Sequence, residues 1–132
     1  MRDLHKAGDG LWMQRYPTPD QRIALGEIGV NGKGPLALVS FGNGHLLSRK
    51  AQAMLAVEGI ETRVVDLRWH APLPTGGLSE SLMAQLAESS DLRLARLAAE
   101  DSFIATGHAY AATMPSADSI AAAARTLVEI GE

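Results

Sequence analysis

The chain has 132 residues, 46% apolar and 20% charged, with a net charge of −3; this is the balance of one globular domain, not of a disordered chain. The absence of cysteine excludes a disulfide framework, a thiolate zinc site and a cysteine nucleophile. The mild negative charge gives no footprint for nucleic acid or an anionic membrane, and no apolar run reaches a membrane span.

Polar residues from Arg2 and Asp3 onward show no signal-peptide pattern, so the expected location is the cytoplasm. Residues 1–34 read as an extended arm. Pro17, Pro19, Gly8, Gly10, Gly26, Gly29, Gly32 and Gly34 oppose a long helix there. The stretch from Ile23 to Val30 has room for a short strand, and Asn31-Gly32 favours a tight turn because both residues tolerate positive φ. Trp12 and Tyr16 need an apolar surface to lie on.

The domain proper, residues 35–132, opens with the apolar run from Leu36 to Phe41, which predicts a strand buried on both faces. Gly42-Asn43-Gly44 ends it, with Gly42 closing the strand and Gly44 admitting a helix. From His45 to Val57, Leu47, Ala51, Met54 and Leu55 recur at helical spacing. Gly59 stands where a left-handed residue stops a helix. The β-branched stretch Thr62 to Leu67 is a second strand. Strand, crossover helix and strand within about 30 residues form a βαβ unit with parallel strands.

After the loop from Arg68 to Pro74, Leu78, Leu82, Met83 and Leu86 mark a second helix over 78–87. Leu92 and Leu94 alternate with Arg93, which predicts a strand over 92–97, although 95–99 also suits a helix. Ser116 is the expected N-cap of a last helix, with Asp118 in its first turn. Its buried stripe is Ile120, Ala124, Leu127 and Val128. The alanines from Ala121 to Ala124 read as helix formers.

The chemistry-bearing residues form no catalytic constellation. Gly42-Asn43-Gly44 after a strand, with Asp66 ending the next, is the skeleton of a dinucleotide site, but Leu47 occupies the place of its third glycine. A plain strand-to-helix turn is the better reading. His5, His45, His70 and His108 share no helical metal-pair spacing, and His45 at a helix start is poorly placed to carry a positive charge. His70 lies in a loop beyond a strand's carboxyl end, where function concentrates. Asp66 and Arg68 suit a loop held by charge-assisted hydrogen bonds, and Trp69 suits an interface anchor. Glu100 and Asp101 point apart on an extended chain and read as a solvated turn. Ser40, Ser48, Ser79 and Ser102 lack the context of a nucleophile elbow.

The segment from Ala37 to Gly44, then Gly59-Ile60, then Arg63-Val64-Val65-Asp66-Leu67-Arg68-Trp69 through Pro72-Leu73-Pro74, resembles the C-terminal domain of thiamine-diphosphate-dependent enzymes. The nearest branch is the β subunit of the dehydrogenase (E1) component of 2-oxoacid dehydrogenases; transketolases share the domain. Arg2-Asp3-Leu4-His5, Gly76 to Glu80 and Glu100 to Ile104 resemble further stretches of that family, so the likeness covers nearly the whole chain. It implies an α/β fold in three layers with a mostly parallel sheet, like the transketolase C-terminal domain.

The parent enzyme so implied is an oxidoreductase that decarboxylates a 2-oxoacid on thiamine diphosphate with magnesium and passes the acyl group to a lipoyl carrier. The cofactor machinery belongs to the two preceding domains, so this chain is expected to bind no cofactor and to be inactive alone. Its implied role is subunit association, with docking to the acyltransferase core as a further possibility. The family pattern also places a helix and a strand, about 20 residues, where Thr75 here joins Pro74 directly to Gly76. A sheet so shortened is expected to leave an unpaired edge.

Trp12, Tyr16, Asp66, Arg68, Trp69 and His70 are the candidate interface residues, and a homo-oligomer is the expected state. Two other readings stay open. One is a free-standing dimeric interaction module; the other is a small nucleotide- or phosphate-binding protein using Gly42 to Gly44.

Overall fold

The computed structural model describes residues 22–24, 26–67, 78–89, 92–99 and 112–130. They form a small α/β protein: strand β1 (Gly29–Asn31), strand β2 (Leu36–Ser40), helix α1 (Asn43–Val57), strand β3 (Thr62–Asp66), helix α2 (Leu78–Ser89) and helix α3 (Ala117–Glu129). Among the described residues no helix is long and apolar enough to cross a membrane.

The β2–α1–β3 unit is built as its sequence predicts. The strands run parallel, Leu36 opposite Thr62 through Ser40 opposite Asp66, because the helix carries the chain back to the start of the sheet. Glu58 caps α1, and Gly59 follows it at φ 79°. The Gly59 N–H donates to the Ala56 carbonyl at 3.1 Å and the Ile60 N–H to that of Leu55 at 3.0 Å. These two bonds make a Schellman motif, and Ile60 packs beside the core as its hydrophobic partner.

The sheet itself is mixed rather than mostly parallel. Its order is β1-β3-β2, and β1 runs antiparallel to β3, with Val30 opposite Val65. The strand foreseen within 23–30 is therefore real but short, and residues 29–31 of the arm belong to the sheet. No tight turn forms at Asn31-Gly32: Asn31 ends β1, and although Gly32 takes φ 90°, the chain runs on without a turn to a bend at Pro35. The physical reason is that β1 and β2 do not pair: β3 lies between them, so the connection spans a strand instead of closing a hairpin.

Strand β2 is not buried on both faces. Leu36, Leu38 and Ser40 turn inward in alternation with exposed Ala37 and Val39. Helix α1 packs on β2 and β3, and α3 packs on α1. Of the three layers expected, the described contacts thus supply the helical cover of one face. Residues 92–97 form no strand; 92–99 carry neither helix nor strand. The loss has a simple physical reason: alternation lends a segment strand character only once a neighbour accepts its hydrogen bonds.

The core is a seam between helices. Ala51 and Leu55 of α1 meet Ala121 and Ala124 of α3, with Leu36, Leu38, Met54, Ile60 and Ile120 packed around them. Ala121 is more than a helix former: three alanines at this crossing let the helices approach closely. Ser116 caps α3 as predicted. Its Oγ accepts the Ser119 N–H at 3.1 Å, and the Ser119 Oγ accepts the Ser116 N–H at 2.8 Å, a reciprocal capping box.

Candidate functional site

The register sorts β-sheet residues into two faces, because paired residues project to the same side and neighbours along a strand alternate. Leu38, Val64 and Asn31 make one row toward α1, and Ser40, Asp66 and Gly29 make the next. Val39, Val65 and Val30 make the row between them on the opposite face. Much of that face is exposed: Val30 is 53% and Val39 42% exposed, with Ile28 at 57% and Phe41 at 49% beside them. Charge and polarity thus sit at the carboxyl end of the covered face, and an apolar patch occupies the open one.

At the carboxyl end, the Leu67 N–H donates to the Ser40 carbonyl at 2.9 Å and closes the ladder. Phe41 to Gly44 then turn into α1, the Gly44 N–H donating to the Phe41 carbonyl at 3.0 Å. Gly42 holds φ 53° and ψ −129°, the first central position of a type II′ turn, which glycine fills without strain. Gly44 carries no such demand. A Cβ there would meet only the Ser40 Cβ at an ordinary 3.6 Å, so the expectation that glycine at 44 has a structural part in admitting the helix is not supported by its surroundings.

His45, in the first turn of α1, brings its ring beside Asp66. Nδ1 lies 4.0 Å from the Asp66 Oδ2, beyond hydrogen-bond length. The Ser40 Oγ and His45 Nδ1 are both buried without a hydrogen-bond partner among the described residues. Ser40 stands opposite Asp66 in the register, and no hydrogen bond joins its hydroxyl to the His45 ring, so the described geometry does not assemble the linked Ser-His-Asp hydrogen bonds of a triad.

Nor is Asp66 placed as a ribose-binding acid. It is 4% exposed and faces α1, whereas that role presents the carboxylate to a ligand outside the strand ends. The same burial keeps it from a direct surface contact. Of the other interface candidates, Trp12, Tyr16, Arg68, Trp69 and His70 lie outside the described residues. So do His5 and His108, and the Glu100–Asp101 pair. Among the described residues, no three His, Asp or Glu side chains converge to hold a metal ion.

Two polar residues matter that periodicity did not single out. The Gln52 Nε2 donates to the carbonyls of Asn31 at 3.2 Å and Thr62 at 2.8 Å, tying α1 to the ends of β1 and β3. Its signal is its place four residues after the buried Ser48 and three before Leu55, a polar side chain beside an inward stripe. The Arg125 Nε and Nη2 each donate to a Glu58 carboxylate oxygen at 2.6 Å, joining the ends of α1 and α3. Those hydrogen bonds hold the Glu58 carboxyl below the usual carboxylate range.

A groove of about 570 Å³ runs beside β2, lined also by Ala95, Leu97, Ile120 and Leu127. Its lining includes Val39 and Phe41 of the open valine face and is largely apolar. The sequence matches no protein-family model and no curated protein.

Proposed function

We propose that the chain is the C-terminal domain of a thiamine-diphosphate-dependent 2-oxoacid dehydrogenase β subunit, acting in the cytoplasm in subunit association and without catalysis of its own. The family part of this reading rests on the likeness of Ala37 to Gly44 and Arg63 to Pro74. The association part rests on one observation: the Val30–Val65–Val39 row, extended by Ile28 and Phe41, is an exposed apolar face on a strand set that is otherwise well packed. Contiguous patches of this kind mark interaction surfaces. By the same likeness, the thiamine diphosphate and magnesium ligands of the parent enzyme would come from its other domains.

Two results test the two parts separately. A reading frame upstream of Met1, or an adjacent gene, that encodes thiamine-binding domains supports the family; a solitary frame favours a free-standing interaction module built on the same face. Assay of the pure chain with thiamine diphosphate, magnesium, pyruvate and an artificial electron acceptor should give no turnover. Turnover that survives repurification contradicts the non-catalytic role.

A further inference from the structure

We draw no further inference here: the strongest candidate, the side-chain cluster of Ser40 and His45 beside the buried Asp66 where β2 turns into α1, rests on a helix N-terminus, and no second observation there points to a ligand.

Discussion

Gly42 and Gly44 separate two roles that one motif blurs. Only Gly42 sits at positive φ, with a ψ that side-chain-bearing residues avoid. Gly42→Val should lower stability by roughly 1–3 kcal/mol from backbone strain, while Gly44→Ala should be neutral or slightly stabilising, since the added methyl has room and restricts the unfolded chain. Urea unfolding of the two variants checks the contrast; equal losses would contradict the turn assignment. Glu58 supplies a pH signature. Its folded-state pKa is lowered by the Arg125 hydrogen bonds, so its contribution is present above the ordinary carboxylate range and lost as pH falls through the lowered value. Glu58→Gln should flatten the acid limb of stability against pH, and an unchanged limb would show the pair to be idle. Neither Arg125 nor Gln52 was legible as a partner, because their contacts span 67 and up to 21 residues of sequence and leave no local periodic trace.

At the scale of elements, both strands of the βαβ unit, the three helices among the described residues, the Gly59 stop and the Ser116 cap are readable. Each is set by local spacing or by a residue with a special backbone preference. Packing between elements was readable only in part. Ala51, Ala121 and Ala124 fit both an inward face and mere helix propensity, and only the crossing of α1 with α3 makes them core. Ala121→Leu should therefore cost about 1–3 kcal/mol by overpacking, whereas Ala122→Leu, on the exposed side of the same helix, should change stability little. Thermal or urea melts compare them; a tolerated Ala121→Leu would place the seam elsewhere. The unbroken hydrophobicity of Leu36 to Phe41 predicts burial on both faces. The structure buries one face and leaves the other apolar and open, so that run records a surface to be covered rather than the cover itself.

For the whole molecule, the central claim is that this open face makes the chain an associating module. A two-fold pairing of copies would bury Val30, Val39 and Phe41 against their counterparts with one self-complementary patch. Val39→Glu places a carboxylate in the middle of that patch yet outside the core, since Val39 faces away from α1. The deciding measurement is sedimentation equilibrium of the wild-type chain and of Val39→Glu at micromolar concentration. The account predicts a species of twice the 14.0 kDa chain mass for the wild type and a folded monomer for the variant. A wild-type monomer of 14.0 kDa that does not change on concentration would contradict it.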